Sequence, residues 1–312
     1  MGLATVCAEQ SIRTKDVSLN GIAASAMSAL KTNTAALGVV SNNVSNINTP
    51  GYARRIVNLQ TLAAGGQLVG VDVASVQRVS NQFLNQEVLS SGGGAAQYDT
   101  MADLFSQLNG MLGGPGDNQS LATGLTNLSS AFAIASQAPS SAASRTGVLN
   151  ALNNLASGFS NASNTITSLQ KQIDQQAVNA VGSVNQQIKQ VFDLNTQIRN
   201  AQAGGGDASG LQDQRDVALT NLSQSLGIKT AANADGSVNV STTDGVNLVS
   251  NTYAQLSYSG GAQNGSYGNI TIQDTNPQTG QAIGSPQALD PHLDGGSLKG
   301  LIDMRDQVLG GL

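Results

Sequence analysis

The chain has 312 residues, a formal net charge of −5, and 39% hydrophobic, 3% aromatic and 11% charged residues. An ordinary globular chain carries about 25% charged and about 45–50% apolar residues, so this chain is low in both classes. Because few large aromatic side chains are available to fill a deep core, thin helical layers and modest sheets are favoured. The sequence has no basic patch that would indicate nucleic-acid binding and no apolar run long enough for a membrane span.

The residue types needed for catalysis or metal binding are scarce. Cys7 is the single cysteine and His292 the single histidine, which excludes a disulfide within the chain and a zinc site built from these residue types. The glycine runs lack the lysine and Ser/Thr of a phosphate-binding loop, so we interpret them as flexible breaks between elements. These runs lie at 65–66, 92–94, 113–116 and 204–206. We therefore predict that the chain is not an enzyme and binds neither a metal nor a cofactor.

Residues 1–17 follow neither a helical nor a strand period, and we predict a disordered extension there. An apolar stripe then recurs at spacings of three and four residues, or sums of these, which predicts a helix with one narrow apolar face. The stripe consists of Leu19, Ile22, Ala26, Leu30, Leu37, Val40, Val44 and Ile47. Its neighbours are mostly small or polar, so this helix would be stabilised by packing rather than by its own propensity. The stripe is either part of a core within the chain or an interface with another subunit.

The helix is predicted to end at a turn around Pro50, whose ring removes a backbone donor and disfavours helix in the preceding residue. Pro50 followed by Gly51 suits the two central positions of a type II turn. The residues of this turn motif are Asn46, Asn48, Thr49, Pro50, Gly51, Tyr52 and Arg54. We assign residues 18–60 to a core helix with its turn.

Residues 61–227 are predicted to form a helical domain. Short extended segments are expected at 56–58 and 68–73, and helices at about 81–87, 98–112, 121–136 and 144–159. The longest periodic segment, 161–203, carries a heptad-like seam from Ala177 onward, and a helix at 211–226 follows it. This pattern predicts an antiparallel helical hairpin. The seam is either a dimerising coiled coil or a face that packs against the domain's own helices, and we favour the second.

Asp213, Arg215 and Asp216 lie together on the returning helix of this hairpin. A charged cluster of this kind is either a catalytic group or a solvated helix face with local ion pairs. We favour the solvated face, in which such exposed pairs contribute little stability.

Residues 228–290 are predicted to form a small β domain, because short apolar runs alternate with residues that favour turns. Asp–Gly dipeptides at 235–236 and 244–245 favour hairpins. Strands are expected at 228–230, 238–241, 246–249, 253–258 and 270–273. Residues 291–312 are predicted to begin a return helix. The predicted fold class is therefore α+β, an elongated multi-domain chain in which a core helix and a helical bundle precede a small β domain.

Residues 37–54, LGVVSNNVSNINTPGYAR, resemble the N-terminal signature of flagellar rod, hook and hook-associated proteins. Three later segments, in the same order, are similar to the family of the first hook-associated proteins. These segments are residues 131–145, 211–228 and 295–306. The second of them includes Asp213, Gln214, Arg215 and Asp216. In that family the start corresponds to residues 17–20 of this chain, and a C-terminal helix follows that this sequence does not reach.

The resemblance implies a structural flagellar subunit, an adaptor at the hook–filament junction that filament assembly and motility require. It implies a ring of copies, contacts with the hook protein, and contacts with a second junction protein and flagellin. It further implies an export apparatus with a chaperone, an extracellular location reached without a cleaved signal peptide, and intersubunit packing of the apolar stripe. The alternative within the class is a hook or distal-rod subunit. Outside it are a surface adhesin that uses the β domain and a secreted enzyme, which would need a carboxylate pair in a cleft.

Overall fold

A computed structural model describes residues 19–64, 67–114, 117, 120–263 and 266–311 of the chain. They form two compact units, which divide after Ser80. Long helices combined with antiparallel sheets confirm the predicted α+β class. The boundary expected between residues 60 and 61 lies inside a strand, because residues 61–78 complete a hairpin of the first unit. The extension expected at 1–17 lies outside the described residues.

The first unit consists of one helix and one β-hairpin. Helix α1 (Leu19–Ser45) is followed by strands β1 (Arg55–Ala64) and β2 (Gln67–Arg78), which pair antiparallel with bulges after Asn58 and Leu62. Both strands are longer than the sequence predicts. The reason is that ladder hydrogen bonds use main-chain groups, so pairing continues through polar residues that show no apolar pattern.

Small polar side chains hold α1 on the hairpin. The hydroxyl of Ser28 accepts a hydrogen bond from the Val71 N–H at 3.1 Å, and the hydroxyl of Thr32 donates to the Val71 carbonyl at 3.1 Å. Gly70 permits this approach, because a Cβ at that position would collide with the Ser28 side chain. The face of α1 that meets the hairpin is therefore polar and small rather than apolar.

The second unit begins with four helices. They are α2 (Gln82–Leu112), α3 (Leu121–Gln137), α4 (Ala142–Ala203) and α5 (Ser209–Ser225). Asn81, Ser120 and Ser141 start the first three, since each side chain accepts hydrogen bonds from main-chain N–H groups of the first turn. Helix α4 joins the two segments expected at 144–159 and 161–203 into one helix of 62 residues. No proline lies at that join and Gly158 is itself helical, so the helical period continues through Ser160.

The glycines at 92–94 lie inside α2, so their interpretation as a flexible break is wrong. A Cβ on Gly93 would lie 2.9 Å from the main-chain oxygen of Ser223 and 3.6 Å from the Cα of Gly227. Glycine is therefore needed here for a close approach of two backbones. Helix propensity alone predicts a break, and the packing of α2 against the end of α5 overrides it.

The β region follows α5. Its strands are β3 (Ile228–Ala232), β4 (Val238–Thr242), β5 (Asn247–Val249), β6 (Tyr253–Ser257), β7 (Ala262–Gln263), β8 (Ser266–Tyr267), β9 (Thr271–Thr275) and β10 (Ala282–Ala288). Six of them form one antiparallel sheet in the order β10–β9–β6–β5–β4–β3, and β7 pairs with β8. Strand β10 was not predicted, because Gly284 and Pro286 interrupt its pattern. Both residues suit its position at the edge of the sheet.

The chain then returns through α6 (Gly296–Asp303), a π-helical turn (Met304–Val308) and a 3-10 turn (Leu309–Gly311). The core of the second unit follows the C-terminal half of α4, which contacts α5, α6, β5 and β6. Its buried seam consists of Leu169, Ile173, Ala177, Val181, Val184, Ile188, Val191 and Ile198. The seam is thus covered within the chain.

A buried ionic network links α4, the β region and the return segment. The Arg305 guanidinium, 1% exposed, donates to the carboxylates of Asp174 at 3.2 Å and Asp306 at 2.6 and 2.8 Å, and to the Tyr258 hydroxyl. The Tyr267 ring lies 4.6 Å from the guanidinium carbon. Burial, followed by the hydrogen bond to Asp174, raises the pKa of Tyr258 far above its ordinary value. Its hydroxyl therefore remains a donor to that carboxylate.

Replacing Arg305 by Met should lower the free energy of unfolding by about 3–5 kcal/mol, because Asp174 would stay buried without its counter-charge. Lys189→Met is the matched control, since it breaks the exposed Lys189–Asp193 pair and should cost less than about 1 kcal/mol. Urea unfolding measures both. Equal losses in the two variants would contradict the central place given to Arg305.

Gly93→Ala should destabilise the chain by about 1–3 kcal/mol, because the added methyl group would press on the Ser223 main chain. Gly94 is the control next to it in the same helix, and a Cβ there meets nothing within 4 Å. Gly94→Ala should instead stabilise by roughly 0.5–1 kcal/mol, since alanine is the better helix former. The unfolding midpoints in urea measure the difference, and shifts of the same sign would refute this account.

Candidate functional site

The predicted apolar stripe of α1 is exposed in the single chain. Exposure of its large side chains ranges from 54% at Ile22 to 81% at Leu19, and Ala26 is exposed as well. The other stripe residues are Leu30, Leu37, Val40, Val44 and Ile47. Because the polar face with Ser28 and Thr32 packs on the hairpin, this apolar face remains available for another surface.

The hairpin adds exposed apolar side chains of its own. They are Ile56, Leu59, Leu62 and Leu68. Among the side chains described in residues 19–80, Thr32 is the single buried one, and none that is apolar is buried. A folded unit normally buries its large apolar residues, and large exposed apolar patches indicate an interaction surface. The described residues of the first unit, 19–64 and 67–80, therefore contain no buried apolar core.

The turn after α1 has the geometry predicted from the sequence. The Tyr52 N–H donates to the Thr49 carbonyl at 3.1 Å, and Gly51 has a φ of 79°, as the third position of a type II turn requires. Asn46 supports the turn, because its side-chain oxygen accepts from the Thr49 hydroxyl at 3.2 Å. The side chains of Asn48, Pro50 and Arg54 are exposed, and the Arg54 carbonyl accepts from the N–H of Val79.

Asn43 is a central residue of this site that the sequence analysis did not single out. Its side-chain amide donates to the Arg55 carbonyl at 2.8 Å, and its oxygen accepts from the Arg55 N–H at 2.9 Å and the Tyr52 hydroxyl at 2.9 Å. The Arg55 guanidinium lies over the Tyr52 ring at 5.2 Å. Asn43 thus bonds the last turn of α1 to the start of β1. An asparagine so close to a helix end was the available signal, since its amide commonly bonds nearby main chain.

The segment around Arg215 has a structural role inside the second unit. Arg215 is 6% exposed and donates to the Gly236 carbonyl at 2.7 Å and to the Asn195 side chain at 3.2 Å. The interpretation of this cluster as a solvated face is therefore wrong for Arg215, because the β3–β4 turn covers it. Asp213 and Asp216 are half-buried, and Gln214 is exposed.

Neither metal nor membrane chemistry is indicated by the part of the chain that the structure describes. No three His, Cys, Asp or Glu side chains come together there as a metal site would require. None of the described helices is both long and apolar enough to cross a bilayer.

Residues 105–312 match the model of the flagellar hook-associated protein FlgK helical domain. The chain belongs to the FlgK family of flagellar hook-associated proteins. This confirms the resemblance seen in the sequence, and the FlgK family is a structural flagellar family rather than a family of enzymes. Residues 24–52, which hold most of the apolar stripe and the turn, match the model of the flagella basal body rod protein.

FlgK relatives cover most of the chain. Flagellar hook-associated protein 1 of Salmonella typhimurium is 28% identical over 295 residues, which are 91% of this chain and 51% of that protein. The Bacillus subtilis protein of the same name is 30% identical over 220 residues, or 67% of this chain and 43% of that protein. The flagellar hook junction protein FlgK from Burkholderia pseudomallei aligns with a TM-score of 0.59 and 27% identity, covering 72% of this chain and 39% of that one. This chain spans about half the length of the curated relatives it matches.

Asn43→Ala should speed hydrogen exchange of the Arg55 amide by roughly 2- to 13-fold, because a hydrogen bond contributes about 0.5–1.5 kcal/mol. Asn42→Ala is the neighbouring control, since the Asn42 side chain is exposed and its carbonyl is retained. Exchange measured by NMR tests both variants. Unchanged exchange at Arg55 in Asn43→Ala would show that this side chain does not hold the turn.

Proposed function

We propose that this chain is a structural subunit of the bacterial flagellum, an adaptor at the hook–filament junction that filament assembly and swimming motility require. The observation that carries the proposal is the first unit, whose large apolar side chains are exposed. Membership of the FlgK family supports the proposal that the chain is part of the flagellum. The names of its relatives, which mention hook association and the hook junction, support the junction in particular.

The exposed stripe of α1 is proposed as the assembly interface. Burial of each large apolar side chain contributes roughly 1.5–3 kcal/mol, so five or six of them supply on the order of 10 kcal/mol against a partner. The proposed partners are further copies of the chain in a ring, the hook protein on one side, and a second junction protein and flagellin on the other. The turn with Asn43 and Pro50 would set the direction in which the hairpin leaves this interface.

The proposal includes an extracellular position on the flagellum. The chain would reach it through the flagellar export apparatus, with a chaperone and without a cleaved signal peptide. The lack of an apolar core among the described residues of the first unit supports it. A segment without a core needs little work to unfold, as passage through a narrow channel demands. The alternative, a hook or distal-rod subunit, is supported by the rod-protein match at 24–52, whereas the longer match at 105–312 favours the junction.

Cells lacking the gene should form complete hooks without filaments and should lose flagellin to the medium. Complementation with Val40→Asp/Val44→Asp should leave this defect, because charges in the stripe oppose its burial. Lys31→Gln, an exposed position on the same helix, should restore filaments. Electron microscopy and an immunoassay for flagellin measure the result, and an immunoblot checks that each variant is made.

Other phenotypes would redirect or end the proposal. Absent or shortened hooks in the deletion strain would move the assignment to a rod or hook subunit. Normal filaments in that strain would refute an essential junction role. Full rescue by the double aspartate variant would refute the stripe as the assembly interface.

A further inference from the structure

The outer edge of strand β3 is bound by a side chain rather than by another strand. Within the described residues, β3 is the last strand of the six-stranded sheet and pairs with β4 alone. On its other side, the side-chain amide of Gln86 in α2 donates to the Ile228 carbonyl at 3.3 Å, and the amide oxygen accepts from the Thr230 N–H at 2.9 Å. A glutamine amide carries both a donor and an acceptor. Gln86 therefore makes the two hydrogen bonds that a neighbouring strand would make.

Two asparagines of α4 bind the sheet in the same way next to the short strand β5. This strand ends at Val249, and within the described residues β4 and β6 continue past it with no strand between them. There Asn195 donates to the Val238 carbonyl at 2.7 Å and accepts from the N–H of that residue at 3.1 Å. Asn185 makes the same two bonds with Leu256, at 2.8 and 2.7 Å. A pair of bonds to one residue is the pattern that an antiparallel neighbour makes.

The sheet has few charged side chains with which to protect its edges. An unpaired edge is a template on which a strand of another molecule can add, and charged side chains or prolines commonly prevent this. Residues 228–290 contain five charged residues, of which Lys229 alone belongs to β3, and its ammonium group donates to the Thr243 carbonyl at 2.9 Å. The opposite edge strand, β10, has an irregular register and contains Pro286. The edge of β3 has no proline, so the Gln86 amide is its evident protection.

Gln86 is also a principal contact between the start of α2 and β3. It is half-buried, whereas the other residues of 81–88 are exposed, among them Phe83 at 81% and Val88 at 52%. Loss of its amide would leave the Ile228 carbonyl and the Thr230 N–H without their present partner. It would also weaken the hold of β3 on the first two turns of α2, so that the edge becomes accessible.

We propose that Gln86 closes the outer edge of β3 against the addition of a strand from another molecule. Its amide occupies the donor and the acceptor that such a strand would bind first. Strand addition at an open edge leads to cross-β aggregates, and low charge favours their growth. Gln86 thus keeps the folded chain from β aggregation, a role that does not depend on the proposed junction function.

Gln86→Met in the full chain tests the proposal, because methionine has a similar size and neither donates nor accepts as an amide does. Hydrogen exchange of the Thr230 amide, measured by NMR, should become roughly 2- to 13-fold faster. Thioflavin T fluorescence at 37 °C should show aggregates forming about tenfold faster than in the unmodified chain, since the edge is then open. Gln82→Met, an exposed position of the same helix, is the matched control and should aggregate at the unmodified rate.

A second substitution separates an open edge from a general loss of stability. The Thr230 N–H points away from β4, and a proline there removes this donor at a position where edge strands tolerate proline. Gln86→Met/Thr230→Pro should therefore aggregate at the rate of the unmodified chain, although the second change adds no stabilising contact. Circular dichroism checks folding, and Gln86→Ala replaces Gln86→Met if that variant unfolds.

Two results would overturn the proposal. The first is aggregation of Gln86→Met no faster than that of Gln82→Met. The second is equally fast aggregation of Gln86→Met and Gln86→Met/Thr230→Pro, which would assign the effect to lost stability rather than to an open edge. Neither result bears on the junction function, which is supported by the stripe of α1 and by the family match.

Discussion

Burial of the α4 seam is the interaction on which the second unit depends. Helix α5, helix α6 and the sheet each cover part of it, and the strands show this in their alternation of buried and exposed residues, as in β4 and β6. Apolar burial has little directionality. The fixed donors of Arg305, in contrast, meet Asp174 and Asp306 in one arrangement, so the network defines how the return segment and the β region sit on α4.

The first unit is stabilised on a different principle. Its helix and hairpin are joined by hydroxyl and amide side chains, with Ser28 and Thr32 on Val71 and Asn43 on Arg55. Such hydrogen bonds specify geometry but contribute only about 0.5–1.5 kcal/mol each. These hydrogen bonds alone therefore give the described part of the unit little stability, and the proposed burial of its exposed stripe would add to it.

Much of this architecture was predictable, because it depends on neighbouring residues. Spacings of three and four located α1 and the α4–α5 hairpin, Pro50–Gly51 located the type II turn, and short apolar runs with Asp–Gly dipeptides located most strands. The features that the sequence did not predict depend on contacts between residues that are far apart in the chain. Gly93 remains helical because the end of α5 packs on it, and Arg215 is buried because the β3–β4 turn covers it. Arg305 and Asp174 are 131 positions apart, a distance over which local patterns carry no information.

The uninterrupted course of α4 has a mechanical consequence. Its 62 residues make a rod about 93 Å long, in which no residue before Leu169 is buried and the last part is fixed in the core. A force applied near the N-terminal end of α4 would act at a long distance from Leu169, where the buried part of the helix begins. A flexible joint would absorb such a load locally, whereas a continuous helix delivers the bending moment to the sheet and to Arg305.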